Sequence, residues 1–163
     1  MKNVEPLNEY YLTEKTFEQE NQVIAEAKDL LHQRLQTSNQ VFSAPRVAKD
    51  YLCLQLSAEQ REVFSCVFVD SQHKFLAYRE MFVGTIDGCT IYPREVVKAA
   101  LKENAAAVIF AHNHPSGVAE PSQQDIRFTH KLKDALLLID IRVLDHFIVG
   151  GSRVVSLAER GLL

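Results

Sequence analysis

The chain has 163 residues, of which 47% are apolar and 24% charged, with six glycines and five prolines. That is enough for one domain with a buried core, and it excludes a disordered chain or a fibrous repeat. A formal charge of −3 spread over small clusters offers no broad basic field for a phosphate backbone, so strong non-specific nucleic-acid binding is not expected.

Met1 to Tyr11 are polar and lack the apolar core of a leader, and no apolar run approaches a membrane span, so a soluble cytoplasmic protein is expected. From Thr16 to Gln36, Val23, Ala27, Leu30, Leu31 and Leu35 recur at helical spacing among polar residues and predict an amphipathic helix. The polar stretch from Thr37 to Gln40 breaks it. We therefore divide the chain into an N-terminal segment with this helix, 1–40, and a main domain, 41–163. A second helix is expected after Ser43, with Pro45 in its first turn and Tyr51 and Leu54 further along.

Glu62 to Asp70 and Phe75 to Ile86 are β-rich runs joined by a short polar turn, and predict a hairpin. Pro93 opens a third helix whose buried stripe is Val96, Val97, Ala100 and Leu101, with Asn104 as its stop. Ala107 to Ala111 is a continuous apolar run and predicts a strand buried on both faces, with His112 at its carboxyl end. Ser122 to Leu138 reads as a helix, and Ile141 to Val149 and Val154 to Leu157 as two final strands. The order of elements defines an α/β (α+β) fold, a mixed sheet flanked by helices. Cys53, Cys66 and Cys89, odd in number and well separated, read as reduced core thiols.

The segment from Ala111 to Asp125, AHNHPSGVAEPSQQD, concentrates the chemistry. Two histidines one residue apart in extended backbone point to the same side, with Cα atoms roughly 6.5–7 Å apart, so both rings reach one ion. Asp125 is the natural third ligand: with Ser122 as the helix N-cap it sits in the first turn, where its charge offsets repulsion between a cation and the helix dipole. Catalytic zinc takes three such ligands and keeps the fourth position open, which lowers the pKa of water there toward about 7. Taken alone, Ser122 and Asp125 also fit a plain capping box, and His112 with His114 also fits a hydrogen-bonded pair at a strand end. Their coincidence in one short segment favours a metal.

The pattern H-x-H, seven residues, S-x-x-D matches the JAMM motif, and the chain resembles the MPN-plus (JAB) metallopeptidases. Phe82-Val83-Gly84-Thr85, Pro93-Arg94-Glu95-Val96, Asn113 to Gly117 and Leu144-Asp145-His146 look like the bacterial RadC-like branch, over roughly residues 41 to 163. The resemblance implies a three-layer MPN/JAB domain of cytidine-deaminase-like architecture. It implies Zn2+ on His112, His114 and Asp125, oxyanion stabilisation by Ser122, and a peptide or isopeptide bond in a protein or peptide substrate. It places the catalytic glutamate at the start of the first core strand, where Glu62 stands; Glu80, before Met81 to Thr85, is the rival. Between the two histidines the chain carries Asn113, where the deubiquitinating members place Ser or Thr.

Two other functions compete: a metal-bearing interaction module without turnover, and the DNA-associated accessory role that the RadC-like label suggests. The residues before Ser43 look too short and too acidic for the helix-hairpin-helix region of longer RadC-like proteins, and the charge pattern gives the DNA role no support. An HNH nuclease, the literal reading of His112-Asn113-His114, would spread those letters along a longer motif. His32, His73 and His130 read as structural or solvated. His146, beside Asp145 in a late apolar strand, reads as a satisfied core histidine or as a partner to the metal ligands.

Overall fold

The computed structural model describes residues 16–37, 42, 45–84 and 90–163. The division near residue 40, the polar N-terminus, Cys89 and the end of the second predicted β run fall outside them. Four helices and five strands follow in chain order: α1 (Phe17–Thr37), α2 (Pro45–Leu56), β1 (Val63–Val69), β2 (Phe75–Val83), α3 (Pro93–Lys102), β3 (Ala107–Asn113), α4 (Gln123–Leu137), β4 (Arg142–Gly150) and β5 (Arg153–Ser156). The sheet order is β2-β1-β3-β4-β5, with β3 and β4 parallel and every other pair antiparallel. The expected mixed sheet flanked by helices, the JAB/MPN arrangement, is present.

The sheet is sandwiched because its central strands are apolar on both faces. On β1, Val63, Val67 and Val69 join Tyr51, Leu52 and Leu56 of α2 in one cluster, while Phe64, Cys66 and Phe68 join Val96 and Ala100 of α3 and Leu132 and Leu136 of α4 in another. Strict alternation along the pleat assigns the residues to their faces. Leu52, Leu56, Leu132 and Leu136 have no solvent exposure, and removing each side chain from water contributes about 2–3 kcal/mol. α1 reaches the core chiefly through Leu35, with Leu31 packed beside it. The rest of its predicted stripe is less covered than expected: Val23 is 46% and Leu30 61% exposed, because the covered face of α1 runs through Ile24, Lys28, Leu31 and Leu35 instead.

Parallel pairing of β3 with β4 carries the chain over the sheet through α4, so the β3–α4 connection leaves from the carboxyl end of a central strand. Such crevices are where open sheets bind ligands. The register of β4 contains one irregularity: Val108 pairs with Val143 and Ile109 with Asp145, leaving Leu144 as an extra residue. The bulge reverses the alternation. Val143 and His146, three residues apart, both face α4, and the ring of His146 packs edge-on against Phe64 and Phe110.

Candidate metal centre

His112 is the last inward residue of β3 on the α4 face, 1% exposed, and His114 follows where the strand ends. The strand continues two residues beyond the apolar run that sequence predicts, because His112 and Asn113 still pair with Ile148 and Val149 of β4. His114 N–H donates to the Val149 carbonyl at 2.8 Å, extending the ladder by one more bond. The connection then turns at Gly117, whose φ of +79° favours glycine. A close approach fixes the next turn: a Cβ on Gly150 at the tip of β4 would stand 2.5 Å from the Ala119 nitrogen and 2.7 Å from the Gly117 oxygen. Only a glycine lets the loop pass there.

Ser122 caps α4 in a complete capping box. Its Oγ accepts from Asp125 N–H at 3.1 Å, and Asp125 Oδ2 accepts from Ser122 N–H at 2.7 Å. The plain capping box and the cation ligand are therefore not alternatives. Capping engages Oδ2 and turns the carboxylate toward the histidines, with Oδ1 3.4 Å from His112 Nε2. His114 Nε2 lies 3.7 Å from Oδ2 and 3.0 Å from His112 Nε2. One ligand atom from each of the three residues lies within 4.8 Å of the others.

Hydrogen-bond accounting assigns the tautomers. A carbonyl oxygen only accepts, so Thr129 Oγ1, 2.6 Å from the Asp125 carbonyl, donates its proton there. His146 Nδ1, 2.5 Å from Thr129 Oγ1, must then be the donor of that contact. Its Nε2 is left to accept from His112 Nδ1–H at 2.8 Å, so His112 Nε2 carries a bare lone pair. His114 Nδ1, 2.7 Å from the Val118 carbonyl, is also a donor, so in the neutral ring His114 Nε2 is bare as well. Two lone pairs thus face each other at 3.0 Å. That contact repels unless a positive charge stands between them.

The titration behaviour follows. Burial pushes His112 down to about 4, with the Asp125 charge opposing and the His114 charge assisting; His146 is held well below its ordinary value by burial and by His112. His114 is raised, first by its hydrogen bond to Asp125, against the effect of burial. Burial favours the neutral form of Asp125, but the His114 hydrogen bond, the His112 charge and the Ser122 contacts outweigh it, and its carboxyl stays far below the carboxylate range. In the absence of a metal the surroundings favour a proton on His114.

Glu62 directly precedes β1, is half-buried, and is raised by burial; the charged groups that act on it are His114, which lowers it, and Asp125, which raises it. Gly84 N–H donates to its carbonyl at 2.8 Å. Glu80 lies on β2 opposite Ser65, exposed, in a groove shared with Lys98, Ala99 and Lys102 of α3. Sequence reasoning did not identify Thr129, left His146 between two roles, and treated Asn113 only as a departure from related motifs. The other histidines are elsewhere: His32 packs edge-on to Phe75, His73 occupies the hairpin turn at φ +61°, and His130 lies 3.0 Å from the Leu162 carbonyl oxygen. Cys66 is buried and Cys53 partly so, and both are free thiols.

A mixed five-stranded sheet between helix pairs, with an H-x-H strand end facing an acidic helix cap, defines a JAB-type domain. The chain belongs to the RadC-like JAB domain family, whose profile matches residues 42–162. It is similar to a UPF0758 protein of Cellvibrio japonicus (strain Ueda107), 62% identical over 123 residues, which are 76% of this chain and 55% of that one. A UPF0758 protein of Vibrio cholerae is 49% identical over 158 residues, 97% of this chain and 98% of that one. One from Stutzerimonas stutzeri (strain A1501) is 52% identical over 145 residues, 89% and 64% of the two chains. The chain spans about half the length of several curated relatives it matches, such as that of Cellvibrio japonicus at 55%. Their names state a family and no activity. Among the described residues, no helix is long and apolar enough to cross a membrane.

Proposed function

We propose that the chain is a zinc-dependent hydrolase of the JAMM type that cleaves amide bonds in a peptide or protein, either in the main chain or at a side-chain isopeptide. The observation that carries the metal is the convergence of His112 Nε2, His114 Nε2 and the Asp125 carboxylate within 4.8 Å, with both neutral imidazoles turning a lone pair to the same place. Donor atoms on a tetrahedral zinc at about 2.0–2.1 Å are about 3.3–3.4 Å from one another; the two imidazole nitrogens here are 3.0 Å apart, Asp125 Oδ1 is 3.4 Å from His112 Nε2, and one donor atom from each of the three residues lies within 4.8 Å of the others. Two imidazoles and one carboxylate suit zinc better than calcium or magnesium, which prefer all-oxygen shells.

Zinc bound by His112, His114 and Asp125 would supply Lewis acidity, activating water and polarising a carbonyl oxygen. The chain's own residues do the rest. Glu62, raised by burial, takes the proton of the attacking water and passes it to the leaving nitrogen. Ser122 Oγ accepts from Asp125 N–H, which leaves its O–H to donate to the developing oxyanion. Amide hydrolysis as the target rests on the family resemblance; the metal rests on hydrogen-bond geometry.

The first test is metal content: one zinc per purified wild-type chain, lost in His114→Ala. The second is a library of peptides and isopeptides. Cleavage by the zinc form that disappears in Glu62→Gln, with zinc retained, supports the reading, whereas a zinc-free wild type that cleaves equally well would refute it.

A further inference from the structure

Asn113 stands between the two histidines on β3, and the pleat sends its side chain to the opposite face of the sheet. It is 3% exposed. Its Oδ1 accepts from Val63 N–H at 2.8 Å, and its Nδ2 donates to the Arg61 carbonyl at 2.9 Å and to the Glu59 carbonyl at 3.1 Å. The orientation of the amide is not arbitrary: two carbonyls require the nitrogen and one N–H requires the oxygen. All three partners lie in the stretch 59–63, which is the end of the connection from α2 together with the first residue of β1, and which contains Glu62.

We propose that Asn113 is the positioning residue for Glu62, its buried amide tying the backbone on both sides of that carboxylate to the strand that carries His112 and His114. On its other side Glu62 is held by the Gly84 N–H bond to its carbonyl and by the pairing of Val63 with Val83 on β2, neither of which ties it to the strand of the histidines. With Asn113 in place, the spacing between base and metal ligands is set by one rigid side chain rather than by a loop. Serine or threonine at this position has one O–H donor and cannot serve both carbonyls. Aspartate would turn a carboxylate oxygen toward them.

The inference rests on the reading of Glu62 as general base, and its test separates the two. Zinc-loaded wild type, Asn113→Ala and Asn113→Ser are compared by metal content, crystal structure and amide exchange; the serine variant, which retains a hydroxyl, serves where alanine does not fold. Zinc should stay at one per chain and the three ligands should superpose, while Glu62 shifts by about 1 Å or more and Val63 N–H exchanges faster than the rest of β1. A displacement of that size costs about 100-fold in turnover. On any cleaved peptide, kcat should therefore fall by about that factor with KM unchanged, and combining Asn113→Ala with Glu62→Gln should add no further loss. Glu62 remaining in place in a folded variant, or zinc lost together with the amide, overturns the proposal. Failure of the base reading shows elsewhere, as a Glu62→Gln protein with unchanged turnover.

Discussion

Thr129→Val removes one hydroxyl that no cation would touch, and the hydrogen-bond chain makes its effect on metal binding calculable. Thr129 is fully buried, and valine keeps its shape, so packing is preserved. The substitution strips His146 Nδ1–H of its acceptor. The ring must then either bury an unpaired donor or move its proton to Nε2, where it meets His112 Nδ1–H and forces that proton onto the Nε2 that should bind metal. The unpaired donor costs about 1–3 kcal/mol; the metal-free protein escapes that cost by moving the proton, and must meet it again when zinc requires His112 Nε2. At 1.4 kcal/mol per tenfold, zinc affinity should fall about 5- to 150-fold. Chelator competition measures the affinity, and nitrogen NMR of the imidazoles reports which atom holds the proton. Unchanged zinc affinity in a variant whose metal-free His146 carries its proton on Nε2, or a wild type with that proton already on Nε2, would refute the assigned tautomers.

Other outcomes follow from the same geometry. His112 favours its neutral form in the fold, with a pKa of about 4 against an ordinary 6.5, so its contribution to stability is full above pH 6.5 and is lost as pH falls toward 4. At pH 4.5 the metal-free protein should be about 2–3 kcal/mol less stable on this account, with buried His146 acting in the same direction and His114, whose pKa is raised, opposing. Urea unfolding of wild type and His112→Gln checks this: the variant should show a shallower pH dependence, and stability that rises on acidification would contradict it. Zinc and a proton compete for His114 Nε2, so affinity should fall about tenfold per unit of pH below the raised pKa of His114, as titrations at several pH values would show. Asp125→Asn keeps the shape of the cap but loses the carboxylate, and zinc should bind far more weakly while α4 still forms, as metal content and circular dichroism will report.

Every element was legible in the sequence to within a few residues, because hydrophobic period, proline at first helical turns and short turn segments all agree. The clustering of His112, His114 and Asp125 was legible too, since they are close in sequence and the spacing alone brings them together. The partners behind them were not. His146 reaches His112 only because Leu144 bulges; strict alternation from Val143 would send that ring to the other face. Thr129 is invisible for a related reason: it matters through a contact across the α4–β4 interface, and the sequence shows only a threonine on the buried side of a helix. Asn113 makes its bonds to residues 50 or more positions earlier, through the antiparallel pairing of β1 with β3, which no local pattern encodes.

Gly150 gives the motif a ruler. Because the tip of β4 presses on the backbone at Gly117 to Ala119, the passage from His114 to Ser122 runs over a fixed pivot. A connection one residue longer would have to bow away from that pivot, and the Val118 carbonyl that orients His114 would move with it. The count of seven residues between the second histidine and the serine is thus a mechanical tolerance, enforced by a strand whose own sequence lies thirty residues downstream. Insertions that diversify this scaffold are expected at the hairpin and helix ends remote from that contact.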